Sequence, residues 1–170
     1  MRKTSEDEMK PVSKKLSLVL VLLLFVTNAC KANISRNNDG SLDVETSITQ
    51  QELQDVISAA IADPLIKELS LSLQSGYVLV SGTRERLNDP EKMDTLSFRL
   101  DLGVSDGQLT TAISNALLDG IPMEQTRIDH WNETIANRLS MIGNKNPNST
   151  LKSIVISPES VTLTWAVSRQ

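Results

Sequence analysis

An α+β domain is what this sequence predicts. Two amphipathic helices pack on one face of a curled antiparallel sheet of about six strands, in the order α-β-β-β-β-α-β-β. Three observations carry that prediction. Apolar residues recur at helical spacing in two separate segments, and elsewhere they alternate with polar residues. Short Gly, Asp or Pro turns join the alternating runs, leaving no room for the long crossovers of a parallel sheet.

The 170-residue chain opens on an export signal. Lys14 and Lys15 precede Leu16 to Val26, eleven residues with only Ser17 polar. A membrane-spanning helix needs ~20 apolar residues, so this run is too short for a permanent span, and the order positive, apolar, small is that of a signal peptide. MKPVSKKL, from Met9, would itself make a normal signal start, whereas the acidic SEDE stretch ahead of it is unusual in one. Thr27-Asn28-Ala29-Cys30 resembles a bacterial lipobox, departing from it at Thr27, where a larger aliphatic residue is usual. The resemblance implies cleavage before Cys30 and a diacylglyceryl group on its thiol, carrying palmitate-type chains. The alternative is an ordinary secretory signal whose cleavage zone contains a cysteine. Cys30 is the chain's only cysteine, so no internal disulfide can form.

Residues 1–29 are thus read as a lipoprotein signal peptide, 30–47 as a lipid-anchored flexible tether and 48–170 as a single α+β domain. The tether reading rests on Lys31 to Ser47, which is Asn-, Ser- and Asp-rich without sustained periodicity. Five of the 17 Lys and Arg residues and three of the 21 Asp and Glu residues precede Cys30. The remainder holds 12 basic against 18 acidic residues, a formal charge of −6. No basic patch is present, which excludes backbone-binding nucleic-acid proteins. Aromatic residues make up 3% of the chain, so its interior must be mostly aliphatic.

The first helix announces its own start. Thr49-Gln50-Gln51-Glu52 is a capping box, and Ile48 with Leu53 forms the matching hydrophobic staple. Leu53, Val56, Ile57, Ala60 and Ile61 follow at i, i+3, i+4, i+7 and i+8. Asp63-Pro64 ends the helix, because the residue before proline is pushed from the α region. Leu69, Leu71 and Leu73 then alternate with polar residues, and Ser75-Gly76 turns the chain into the strand Tyr77 to Thr83. Arg84 to Asp94 (RERLNDPEKMD) reads as a charged loop. Thr95 to Val104 alternates again, with Leu96, Phe98, Leu100, Leu102 and Val104 inward. Asp106-Gly107 is a two-residue hairpin signal leading to Gln108 to Leu118.

Asp119-Gly120-Ile121-Pro122 breaks the sheet ahead of a second helix, Met123 to Ile142. Its stripe is Ile128, Trp131, Ile135, Leu139 and Ile142, and Gly143-Asn144 caps its end. After a polar loop, a last hairpin runs from Leu151 to Ile156, turns at Ser157-Pro158-Glu159-Ser160 and returns from Val161 to Val167.

Catalytic chemistry finds no foothold. Nucleophilic triads and metal sites draw on His, Cys or clustered carboxylates. The chain has one histidine, His130, off the helical stripe, and its one cysteine is assigned to the anchor. Asp119, Glu124 and Asp129 surround the start of the second helix, where acids complement the helix dipole. Ser75-Gly76 and Ser81-Gly82 are hairpin chemistry, not phosphate loops. Asn33-Ile34-Ser35, Asn132-Glu133-Thr134 and Asn148-Ser149-Thr150 match the glycosylation sequon, which chance accounts for in so Asn- and Ser-rich a chain. The expectation is no enzyme, no cofactor and no metal.

The order of elements resembles the small tubular lipid-binding (TULIP-like) lipoproteins of bacterial envelopes, YceB-like and LmeA-like proteins among them. The resemblance spans Ile48 to Ala166. It is carried by the capped helix ITQQELQDVI, the strand end GYVLVSGT, the strand pair SFRLDLGVSDGQLTTAIS, the linker LLDGIPM and the hairpin SIVISPESVTLTW. It implies a curled sheet around a long helix, and a lipid or other long apolar ligand in the groove between them. The inward positions nominated for that groove are Ile57, Ile61, Phe98, Leu100, Ile128, Trp131, Ile135 and Leu139. The leading expectation is a lipid-anchored protein on the extracytoplasmic side of the cell envelope that binds or shuttles a lipid. The alternative is a cystatin-like protein-interaction or structural envelope module with a filled core.

Overall fold

The described residues of the computed structural model are 32–36, 41–143 and 149–167. Their elements are α+β, as expected, but the strands form two antiparallel sheets. One consists of β1 (Ala32–Arg36), β2 (Leu42–Thr49), β8 (Ser149–Ile156) and β9 (Ser160–Val167), in the order β1-β2-β9-β8. The other runs sequentially through β3 (Ile66–Gln74), β4 (Tyr77–Arg86), β5 (Asp89–Ser105), β6 (Gln108–Leu118) and β7 (Ile121–Pro122). The helices are α1 (Gln50–Ile61) and α2 (Gln125–Gly143).

The segment read as a tether is largely strand. β2 pairs with β9 along its whole length and carries β1 on its other edge. Its polar composition hides a period-2 pattern, Leu42, Val44, Thr46 and Ile48, of which Thr46 and Ile48 are buried. A strand needs apolar character only at alternate positions, so four inward residues among many polar ones suffice. Residues 30, 31 and 37–40 of that segment lie outside the described residues.

The α1 cap forms as read. The Glu52 N–H donates to the Thr49 hydroxyl at 3.2 Å, and the Thr49 N–H donates to Glu52 Oε2 at 2.8 Å. Leu53, Ile57, Ala60 and Ile61 are buried, with Val56 packed at the edge of the core. The helix ends with Ala62 in the left-handed region, one residue before Asp63-Pro64.

Arg84 to Asp94 is not a loop. β4 continues to Arg86, turns at Leu87-Asn88, and β5 returns from Asp89, forming a charged hairpin arm. Charge alone does not forbid a strand when opposite charges face each other across it. Here Lys67 pairs with Glu85 at 3.0 Å and Arg84 with Asp63 at 2.9 Å, while Arg86 pairs with Asp94. Ser81-Gly82 likewise sits inside β4 instead of turning it. At Gly82 the Glu68 carbonyl comes within 2.5 Å of where a Cβ would stand, so only glycine fits beside the β3 bulge.

Asp106-Gly107 makes the expected hairpin, with φ of 52° and 74°; positive φ at both positions marks a type I′ turn. Asp119-Gly120 does the same, with φ of 52° and 77°. It therefore folds the chain back to pair β7 with β6 before α2 begins, and does not simply end the sheet. Gly143 is the last described helical residue, so the cap expected at Gly143-Asn144 lies outside the described residues.

α1 packs on α2 and touches both β2 and β3, bridging the two sheets, while α2 lies on β6. Asn132 fixes that second contact. Its carbonyl accepts from the Thr111 hydroxyl at 2.7 Å and its Oδ1 from the Ile113 N–H at 2.9 Å. The sheets are tied directly where the Leu151 N–H donates to the Gly107 carbonyl at 2.9 Å.

Candidate functional site

All eight positions nominated for a groove converge. Ile57, Leu100, Ile135 and Leu139 are fully buried, and Ile61, Phe98, Ile128 and Trp131 are nearly so, within one continuous apolar cluster. The Phe98 and Trp131 rings meet at 5.8 Å between centroids. These side chains pack on one another, and Ile61 also borders a surface cleft of about 140 Å³ shared with Ser58, Asp63 and Ile66. The periodicity located the interior correctly. Periodicity cannot distinguish a side chain that lines a cavity from one that fills it.

A larger cleft, of about 540 Å³, lies elsewhere. It is lined by Arg86 and Asp94 of the hairpin arm, by the apolar Leu118, Ile121, Pro122 and Met123, and by Arg127 of α2. The β4 inner face explains its position. Val78 and Val80 are buried apolar residues, but two steps beyond them the same face presents Arg84. On β5 the alternation Leu100, Phe98, Leu96 continues to Asp94, which is 7% exposed. The inner face thus changes from apolar to ionic toward the arm.

A buried carboxylate needs a partner. The Arg86 Nε donates to Asp94 Oδ1 at 2.8 Å, and its Nη2 reaches across to Asp119 Oδ2 at 2.9 Å. One guanidinium therefore staples the arm to the β6–β7 turn, using the forked geometry lysine lacks. A second ion pair anchors the base. The Arg84 Nε and the Leu65 N–H donate to the two oxygens of Asp63, at 2.9 and 3.0 Å. Burial pushes the Asp63 carboxyl up, but the Arg84 and Leu65 hydrogen bonds and the Arg84 and Arg127 charges outweigh it, leaving Asp63 below the ordinary aspartate value.

The arm also exposes apolar side chains. Leu87 at its tip is 72% exposed, Ile121 beside the cleft 68% and Met93 44%. None of these positions was nominated from the sequence. Two signals were legible: the β5 alternation extends one step past Leu96 to Asp94, and Leu87 is a lone leucine within a charged run.

Two of the three acids around the second helix have separate partners: Asp119 accepts from Arg86 and Asp129 from Gln125 Nε2 at 2.8 Å. His130 is exposed on α2. Among the described residues no group of three or more His, Cys, Asp or Glu is placed to hold a metal ion, and no helix is long and apolar enough to cross a membrane. Cys30 lies outside the described residues. Comparison of the chain with family models, with characterised proteins and with solved structures returns no match.

Proposed function

We propose that this protein is a lipid-anchored envelope module that docks a partner protein on the β4–β5 arm and the cleft beside it. The observation carrying this reading is the contrast between a filled interior and an exposed apolar tip. The residues that would line a lipid groove are packed against each other, whereas Leu87 and Met93 on the arm, and Ile121 in the lining of the cleft, stand in water. Exposed apolar residues grouped beside a polar rim mark interaction sites, and the Arg86 staple holds the arm in place beforehand, limiting the ordering cost of binding. Cys30 supplies the anchor in this reading; a diacylglyceryl group provides the two chains that stable membrane attachment needs. No step of this role is catalytic.

A second reading keeps the apolar ligand but moves it. A cleft of about 540 Å³ falls within the ~300–1,000 Å³ of small-molecule sites, and Leu118, Ile121, Pro122 and Met123 are its apolar lining.

One experiment separates the two. A photo-crosslinking residue at Leu87, in cells carrying the full chain, should trap one discrete protein adduct in the membrane fraction, and Ile121→Asp should abolish it. Cys30→Ser should release the exported protein into the soluble fraction. A lipid retained stoichiometrically in native mass spectrometry and lost with Ile121→Asp, without any protein adduct at Leu87, would replace the first reading with the second.

A further inference from the structure

The open edge of a sheet is a template for another strand unless something blunts it. Most edges here are blunted. β1 is five residues long and β7 only two. The β6 edge that β7 leaves is bonded through the Met123 N–H to the Ala116 carbonyl at 3.0 Å and through Asn132 Oδ1 to the Ile113 N–H. β8 is tied to the other sheet, where the Leu151 N–H donates to the Gly107 carbonyl and the Ile156 carbonyl accepts from the Gly76 N–H at 3.1 Å. β3 differs. It is nine residues long and, among the described residues, pairs with β4 alone. From Leu69 to Gln74 it holds no proline, no charge and no bulge, its one irregularity lying between Ile66 and Glu68.

The ladder fixes which backbone groups face outward. Ser75-Gly76 is a two-residue turn, so the flanking pair Gln74 and Tyr77 exchanges both hydrogen bonds. Bonded and non-bonded pairs alternate along an antiparallel ladder. Ser72 and Ser70 therefore bond to Leu79 and Ser81, while Leu73, Leu71 and Leu69 direct their N–H and C=O away from β4. No hydrogen bond among the described residues reaches these outward groups. We infer that β3 pairs antiparallel with β3 of a second copy of this chain, about a two-fold axis at Leu71.

The strand is complementary to itself, which selects this occupant. With the axis at Leu71, Leu69 faces Leu73 of the second copy, Ser70 faces Ser72, and Glu68 faces Gln74. Of the symmetric registers, this one alone engages Leu69, Leu71 and Leu73 of both copies, each pair exchanging two N–H···O bonds. Leucines then meet leucines on the inner face, and the exposed Ser70 and Ser72 meet their counterparts on the outer one. No like charges stand opposite each other, which would destabilise the seam. A contact of this isologous kind closes on itself, so assembly stops at the dimer. The surface is separate from the arm and does not depend on the reading of it.

The test uses the full chain carrying Cys30→Ser, which removes the only native thiol. Sedimentation velocity over a concentration series should show a monomer–dimer equilibrium. Ser70→Lys with Ser72→Lys opposes like charges across the seam and should weaken dimerisation about tenfold. Ser70→Lys with Ser72→Glu opposes unlike charges at the same places and should restore it or tighten it. Both variants alter the same exposed positions, so recovery in the second separates a broken seam from a broken fold. Register is read by crosslinking. Ser70→Cys and Ser72→Cys proteins, mixed and oxidised, should form a disulfide-linked dimer. Either one alone should not, because its own two thiols then sit two residues apart along facing strands, beyond disulfide reach. A protein that stays monomeric at ~0.1 mM, its edge covered by the rest of its own chain or simply without affinity, overturns the inference. A dimer indifferent to the charge pairs, or one that crosslinks as readily through a single variant as through the mixture, overturns it too.

Discussion

Thr49 shows how much a single side chain settles. It ends β2, accepts from Glu52 as the α1 cap, and so fixes the point where a strand becomes a helix. Its removal should cost ~1 kcal/mol. For a domain of this size Thr49→Ala should lower the melting temperature by about 3 °C, read by circular dichroism, with partner capture at Leu87 unchanged. Asp63 acts at the other end of α1 through charge. Its folded carboxyl titrates below its unfolded value, so its contribution is present above the unfolded value, near pH ~3.9, and is lost as pH falls through the folded one. Melting curves of wild type and Asp63→Asn should therefore differ at neutral pH and converge in acid. Parallel curves down to low pH would show that the Arg84 pair contributes nothing.

At the level of elements, the sequence was legible wherever one face is apolar and a turn has a fixed chemistry. Both helices, the β5 and β9 alternations and the Asp106-Gly107 hairpin all follow from local rules. Misreadings arose where partners distant in the chain decide the outcome. β2 is a strand because β9 offers it a full ladder, more than a hundred residues later. The arm is a hairpin because Asp63, Asp94 and Asp119 neutralise its arginines. The same Asp-Gly chemistry read correctly at 106–107 also builds β7 at 119–120, where the following proline masks it. The arm's dependence on these pairs is measurable. Arg86→Ala leaves Asp94 buried without its guanidinium and should lower the melting temperature; Asp94→Asn alone should also lower it. The double variant should lose less than the sum, because neither group is then left unpaired. Strict additivity would mean that Arg86 and Asp94 are neighbours without being coupled.

Across the whole molecule, the question is what the apolar interior is for. Two sheets and two helices direct their dry faces inward, and the residues that meet there are fully or nearly fully buried. Close-packed interiors transmit the loss of a single side chain as instability, whereas the wall of a ligand groove can rewet when empty. Ile135 distinguishes these situations, because it sits at the centre of α2 with no exposed surface. In a filled core, Ile135→Asn buries an amide that no neighbour can satisfy and should cost ~2–4 kcal/mol. The loss would appear as a fall in denaturation midpoint with the slope preserved. Trp131 packs against Phe98 in the same layer, so its emission should stay constant as a long-chain lipid is titrated into the wild type. A variant that keeps its stability but loses bound lipid, together with a lipid-dependent change at Trp131, would return the binding site to the space between the helices. Heavy destabilisation with a silent Trp131 leaves binding to the surfaces, since nothing then remains inside for a ligand to occupy.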